Sequence, residues 1–221
     1  LAKTIVELRN DDTFTIGLFG KWGTGKTSVI NMTLTELENL QSQEEEKMIV
    51  VRFEPWHFTD ATQLLTQFLI RLSTEFKGDK DEKIQDIGEG IEKYSGAFEL
   101  AGLIPTYGGL IAILGKFGFA KLGREIQKSV GKIDVLSKKE SVVKMLSEQN
   151  RKILVVIDDI DRLSDEQIKC VFQLVSSVAK FPNTTYLLVC DKSIVAKALN
   201  DVQGEKGEEY LEKIIQMPIQ I

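Results

Sequence analysis

The strongest constraint in this sequence is the octapeptide GKWGTGKT at residues 20–27, which matches the pattern G-x-x-x-x-G-K-[ST] at every required position. It follows an apolar run at residues 13–20 that predicts a strand, and it opens a segment whose apolar residues recur at helical spacing. Glycines let such a loop curl so that its backbone N–H groups converge on an anion, beside the positive end of the helix dipole. The loop is therefore predicted to bind phosphate.

Each position of this loop has a predicted role in holding a nucleotide. The Lys26 ammonium can reach the β- and γ-phosphates, which makes it a candidate catalytic residue, and the Thr27 hydroxyl is a candidate Mg²⁺ ligand. The Trp22 side chain can shield the phosphates or stack on a partner. The predicted nucleotide-binding residues are Gly20, Lys21, Trp22, Gly23, Thr24, Gly25, Lys26, Thr27 and Ser28. A glycine turn with a chance lysine is the alternative, and the strand–loop–helix context argues against it.

Two acidic residues follow the apolar run ILVVI at residues 153–157. Five consecutive apolar residues are typical of a strand covered on both faces, and ligands of parallel sheets bind at the carboxyl ends of strands. Asp158 is therefore a candidate Mg²⁺ ligand, and Asp159 is a candidate catalytic residue that orients or deprotonates an attacking water. The alternative is that both acids only cap the turn that follows them.

Three further polar residues at the ends of predicted strands have two interpretations. Asp161 and Arg162 form a local pair, or Arg162 reaches the nucleotide or a neighbouring subunit; we favour the local pair. Asp191 ends the apolar run at residues 185–190. It either acts as a catalytic residue that senses the γ-phosphate, or caps the helix that begins at Lys192, and both roles can hold together.

Apolar runs alternate with amphipathic segments along most of the chain. The predicted strands lie within residues 13–20, 47–55, 151–159 and 185–191 and at 217–221. The alternation predicts an α/β fold of three layers, with helices on both faces of a mostly parallel central sheet. Ser164 and Gln167 form a capping-box pattern at the start of one helix. Trp56 and His57, after the second strand, are predicted to pack at the sheet edge.

The stretch between the second and third strands breaks this rhythm. We predict a core of residues 1–76 and 150–221, with residues 77–149 forming a helical insertion. Within the insertion, residues 100–115 carry no charge, whereas residues 116–139 carry seven basic and two acidic side chains. This change from uncharged to basic sequence distinguishes the stretch from the core, in which strands and helices alternate.

Composition and charge limit the partners of the chain. A net charge of −5 and a pI near 5.2 provide no overall basic field, so nucleic acid is not an expected partner. Contact with a membrane surface through residues 100–139 is an alternative to a soluble insertion, but Pro105 interrupts an uncharged run already too short to span a bilayer. Cys170 and Cys190 lie in apolar stretches and predict buried thiols in a reducing compartment.

The sequence resembles the KAP family of P-loop NTPases, in the additional-strand class close to the STAND and AAA+ ATPases. The resemblance rests on the loop and on FEPWHF, VVIDDIDRL, YLLVCDKSIVAKAL and EEYLEKIIQMPIQI in this order, and covers most of residues 5–76 and 150–221. It implies that the loop is a Walker A motif, that VVIDD is a Walker B motif, and that an extra strand lies between the two strands that carry them. It also implies ATP and Mg²⁺ as cofactors.

The resemblance further implies a regulatory switch or scaffold, and some members of the family exclude phages. We therefore predict an ATPase module of a larger cytoplasmic protein, with a protein partner or self-association, in phage exclusion or antiviral defence. The alternative is a nucleotide-gated scaffold with little hydrolysis, which recruits a membrane or protein partner through the insertion at the inner face of a membrane. The helical lid that the resemblance implies is expected to follow residue 221, outside this chain.

Overall fold

The computed structural model describes residues 1–8, 12–42, 44, 47–58, 61–100, 135–200, 202 and 206–221. These residues form a five-stranded sheet and the helices that cover it. The strands are β1 (Phe14–Phe19), β2 (Ile49–Phe53), β3 (Ile153–Ile157), β4 (Thr184–Cys190) and β5 (Met217–Gln220). The helices are α1 (Ala2–Glu7), α2 (Lys26–Leu40), α3 (Ala61–Lys77), α4 (Glu82–Leu100), α5 (Val135–Ser147), α6 (Asp165–Gln173), α7 (Lys192–Ala198) and α8 (Gly207–Ile214).

The described strands pair in parallel throughout, in the order β2-β3-β4-β1-β5. Strand β4 thus lies between β1 and β3, as the additional-strand class requires. Parallel neighbours need long connections, and helices supply them on both faces of the sheet. Because the strands point the same way, the carboxyl ends of β1, β3 and β4 meet at one edge.

Side chains of the central strands alternate between two apolar layers. On β3, Leu154 and Val156 pack in the layer that holds α1 and α2, whereas Val155 and Ile157 pack with the helices of the opposite face. Both faces of the strand are therefore covered, which explains why the run ILVVI contains no polar residue. The three-layer α/β class predicted from the sequence is confirmed.

Element boundaries differ from the prediction in three places. Strand β2 ends at Phe53 rather than reaching residue 55, because the chain turns into a 3₁₀ turn at Pro55–His57. Helix α1 has no counterpart among the predicted elements, since its six residues are too few to display a helical period. The helical spacing of apolar residues from Ile168 to Val178 predicts one helix after the capping box, but the chain changes after α6 into a π turn at Leu174–Val178. At its start the capping box is confirmed by reciprocal hydrogen bonds between Ser164 and Gln167.

Helices α4 and α5, between β2 and β3, are held against this π turn. The Tyr94 hydroxyl of α4 donates to the Val178 carbonyl at 3.1 Å, and the Lys139 ammonium of α5 donates to the Ser177 carbonyl at 2.5 Å. Residues 101–134, with most of the uncharged run and its basic flank, lie outside the described residues. No helix in the described part of the chain is long and apolar enough to cross a membrane.

The start of α8 has no room for a side chain. A Cβ on Gly207 would lie 1.8 Å from the carbonyl oxygen of Ala196, a backbone atom of α7 that cannot move aside alone. We therefore expect Gly207→Ala to lower the free energy of unfolding by about 1–3 kcal/mol, measured by urea denaturation.

Gly96 in α4 provides the matched control, because a Cβ there would meet no atom of the described residues within 4 Å. Gly96→Ala should raise the free energy of unfolding by about 0.5–1 kcal/mol, since alanine loses less backbone entropy in a helix. Equal effects of the two substitutions would contradict this account of the α7–α8 contact.

Candidate functional site

The loop between β1 and α2 curls at the carboxyl end of β1. Gly23 and Gly25 have φ angles of 81° and 91°, in the left-handed region that side chains other than glycine rarely adopt. Gly25 is the N-cap of α2, and no side chain among the described residues caps this helix start. The backbone N–H groups of the first helical turn are therefore left for an anion, which the helix dipole also favours.

Lys26 is buried inside this curl with only 8% of its surface exposed. Its ammonium donates hydrogen bonds to the carbonyl oxygens of Gly20 at 2.8 Å and Lys21 at 3.2 Å. The Thr24 hydroxyl also donates to the Lys21 carbonyl, at 2.9 Å. Neutral carbonyls do not cancel a positive charge, so an anion entering the loop would meet a charged donor already withdrawn from water.

Thr27 and Asp158 bring together two oxygen atoms from different elements. The Thr27 hydroxyl on α2 donates to Asp158 Oδ2 at 3.3 Å, and Asp158 Oδ1 accepts the Asp159 N–H at 2.8 Å. Burial raises the pKa of Asp158, and the hydrogen bond from the Asp159 backbone opposes that rise. A carboxylate and a hydroxyl are oxygen ligands of the kind that Mg²⁺ prefers, and the donor set therefore fits this ion.

Asp159 begins the 3₁₀ turn Ile160–Arg162 and has a left-handed backbone, with φ 57° and ψ 35°. Its Oδ1 lies 3.1 Å from Arg162 Nε. The predicted pair of Asp161 with Arg162 is wrong in its partner, because the left-handed step turns Asp159 toward the guanidinium. Asp161 Oδ1 is instead buried, with no hydrogen-bond partner among the described residues.

Arg162 also contacts two tryptophan rings. Its Cζ lies 4.4 Å from the centroid of the Trp22 ring and 5.9 Å from that of Trp56. The Trp56 and His57 rings lie against one another, tilted by 37° with their centroids 3.7 Å apart, and 42% of Trp56 is exposed. Both residues are exposed in the turn after the edge strand β2, and their packing at the sheet edge stays a prediction. Their position follows from the pairing of β2 with β3, which brings the turns after both strands together.

Asp191, at the end of β4, caps α7. Its Oδ1 accepts hydrogen bonds from the Ser193 backbone N–H at 2.9 Å and from the Ser193 hydroxyl at 2.6 Å. The hydroxyl bond is the main cause that lowers the pKa of Asp191, and the charge of Lys26 acts in the same direction. The cap is thus present, and a role in sensing phosphate stays a prediction.

The predicted site residues therefore gather at one edge of the sheet. The loop contributes residues 20–28, with Lys26 inside it and the side chains of Lys21, Trp22 and Ser28 exposed. The fold, with this loop at the carboxyl end of β1, defines the class of protein as a P-loop NTPase domain. The chain belongs to the KAP family, whose P-loop domain matches it over residues 1–221.

Two known proteins show how far this similarity extends. The phage T7 exclusion protein of Escherichia coli (strain K12) is 25% identical over 241 residues, a match that covers 100% of this chain and 32% of that protein. The chain thus spans about a third of the length of the curated relative it matches. Among solved structures, the Aeropyrum pernix ORC2 protein in ADPNP–ADP complexes matches 99% of this chain and 44% of its own, with 12% identity and a TM-score of 0.48.

The partly buried charge of Asp158 predicts a cost in stability. Its raised pKa means that the fold favours the neutral form: that stabilisation is complete below the unfolded pKa, near 3.8, and is lost as pH rises through the folded pKa. At pH 7 we therefore expect Asp158→Asn to raise the free energy of unfolding by about 0.5–1 kcal/mol, a modest gain because solvent screens the carboxylate. Urea denaturation at several pH values measures it.

The advantage of Asp158→Asn over the wild type should shrink as the pH falls toward the acid range. Asp86→Asn, at an exposed position on α4, is the matched control and should leave stability nearly unchanged at every pH. A variant at Asp158 that is less stable than the wild type at pH 7 would contradict the burial argument.

Proposed function

We propose that this chain is a Mg²⁺-dependent module that binds and hydrolyses ATP, and that it switches the state of a larger cytoplasmic protein in phage exclusion. The observation that carries the proposal is the contact of Thr27 with Asp158 beside the buried ammonium of Lys26. Similarity to the phage T7 exclusion protein supports the biological setting. Membership of the KAP family supports nucleotide binding.

Binding would use the loop from Gly20 to Ser28. The Lys26 ammonium would exchange its bonds to the Gly20 and Lys21 carbonyls for stronger bonds to phosphate oxygens. Gly23 and Gly25 hold the curl in a backbone conformation that other residues adopt only with strain. Trp22 is 69% exposed and would cover the phosphates from the solvent side.

The Thr27 hydroxyl and the Asp158 carboxylate would hold Mg²⁺ at the loop. When bound, the ion neutralises the negative charge that develops on the phosphate oxygens during transfer. The raised pKa of Asp158 supports this assignment, because a carboxylate that burial disfavours gains from a cation beside it.

Asp159 is the proposed group that orients and deprotonates the attacking water. The water oxygen bonds to the γ-phosphorus while the bond from that phosphorus to the bridging oxygen breaks, and the water proton passes to the Asp159 carboxylate. The products are ADP and inorganic phosphate. Asp191, near Lys26 at the end of β4, is proposed to sense the γ-phosphate while it caps α7.

We predict that Asp159→Asn binds ATP as the wild type does but hydrolyses it about 10²–10⁴-fold more slowly, because an amide cannot accept the water proton. Calorimetry measures binding, and release of inorganic phosphate measures turnover. Asp165→Asn is the control at an exposed carboxylate six residues further along the chain. Turnover that is unchanged in Asp159→Asn would remove Asp159 from the mechanism.

The insertion is the proposed output of the module, toward a protein partner, a second copy or a membrane surface. The support is its attachment to the core: Tyr94 and Lys139 bind the π turn that follows α6, the first α-helix after β3. A nucleotide-gated scaffold with little hydrolysis is the alternative. Wild-type protein that binds ATP without measurable turnover, and loses its partner when residues 100–139 are deleted, would favour that alternative.

A further inference from the structure

We propose that Arg162 is a positioning residue for Asp159, and that its contact with Trp22 makes this positioning respond to phosphate in the loop. The inference rests on the proposed function, since it assigns Asp159 to the attacking water. It can be tested separately by fluorescence, because the chain has two tryptophans and both lie beside Arg162. Their emission therefore reports on the surroundings of Arg162.

The Nε atom of Arg162 fixes the orientation of the Asp159 carboxylate. The left-handed backbone of Asp159, with φ 57°, turns its carboxylate away from the course of β3. Arg162 Nε holds Asp159 Oδ1 at 3.1 Å, while the Asp159 N–H donates to the carboxylate of Asp158. The guanidinium and the Asp158 side chain therefore hold Asp159 from two sides, and Arg162 supplies the side-chain contact.

The face of the Arg162 guanidinium also contacts the Trp22 ring of the phosphate-binding loop. Its Cζ is 4.4 Å from the centroid of Trp22, which lies between Gly20 and Gly23 in the loop. A cation at this distance over an indole face is attracted by the ring. Because Trp22 belongs to the loop that would surround the phosphates, filling the loop changes the ring against which the guanidinium rests.

The same guanidinium reaches a third segment, the turn after β2. The centroid of the Trp56 ring lies 5.9 Å from Arg162 Cζ, and this ring also contacts the tilted ring of His57. Arg162 thus joins the segments that follow β1, β2 and β3. A movement of the loop would be passed through Arg162 to Asp159 and to the turn that leads into α3.

A purely structural role for Arg162 would have different consequences. Its side chain is 42% exposed, and exposed ion pairs contribute little to folding stability. Arg162→Gln should therefore fold normally. Turnover should nevertheless fall about 10- to 100-fold while the dissociation constant for ATP changes less than about threefold, because a displaced carboxylate affects the reaction more than the binding.

Arg162→Lys tests whether the role of Arg162 needs only its positive charge or also its planar guanidinium. Lysine keeps the positive charge but lacks the planar guanidinium that stacks on the indole while its Nε holds the carboxylate. We expect it to recover less than half of the wild-type turnover. Arg71→Gln is the matched control, because Arg71 is a similarly exposed arginine, paired with Glu75 on α3.

Tryptophan fluorescence reports whether nucleotide in the loop acts on the contact between Trp22 and Arg162. In Trp56→Phe protein, emission comes from Trp22 alone; Arg162→Gln should change it without nucleotide, and Arg71→Gln should not. Addition of Mg²⁺-ATP should shift this emission in the Trp56→Phe protein, and Arg162→Gln should reduce the shift at least about twofold. Circular dichroism checks that each variant is folded.

The outcomes distinguish this inference from the proposed function. If calorimetry detects no ATP binding by the wild type, both fail together. If the wild type binds and hydrolyses ATP but the emission of Trp22 is indifferent to Arg162, only the inference fails. Turnover in Arg162→Gln that equals or exceeds that of the wild type would also overturn it, since the pair would then restrain Asp159 rather than position it.

Discussion

The parallel pairing of β4 with both β1 and β3 sets the arrangement of the whole site. It aligns Leu18 of β1 with Val189, and Ile157 of β3 with Leu188, so that the three strands end at the same edge. The loop after β1, the acids after β3 and Asp191 after β4 are neighbours for this reason alone. Their separation along the chain exceeds 130 residues between Thr27 and Asp158, whose side chains touch.

Several unfavourable features of the fold lie at this edge, although a second left-handed residue other than glycine, Asn183, precedes β4 at the opposite edge. Gly23, Gly25 and Asp159 have left-handed backbones, Lys26 is a buried ammonium, and Asp161 has a buried oxygen without a partner among the described residues. Two apolar clusters cover the faces of the sheet, and the buried tyrosines Tyr94 and Tyr186 donate hydrogen bonds to carbonyls. Strain and desolvation that serve no purpose for folding are typical of sites that bind ligands.

Local patterns in the sequence were sufficient to predict the alternation of strands and helices, the loop and the Ser164 capping box. Those features depend on residues a few positions apart. The partner of Arg162 could not be predicted in this way, because it depends on the left-handed turn at Asp159. The contact of Arg162 with Trp56 requires the strand order, which places β2 beside β3. Helix α1 was missed because six residues with two buried positions show no period.

The proposed function requires that the loop binds ATP through Lys26, and calorimetry of the folded chain with Mg²⁺-ATP and Mg²⁺-GTP measures this binding. We predict that ATP binds more tightly than GTP, that Lys26→Ala abolishes binding, and that the control Lys3→Ala, at an exposed position on α1, leaves it intact. Binding that survives in Lys26→Ala, or folded wild-type protein that binds neither nucleotide, would show that this loop does not hold a nucleotide through Lys26.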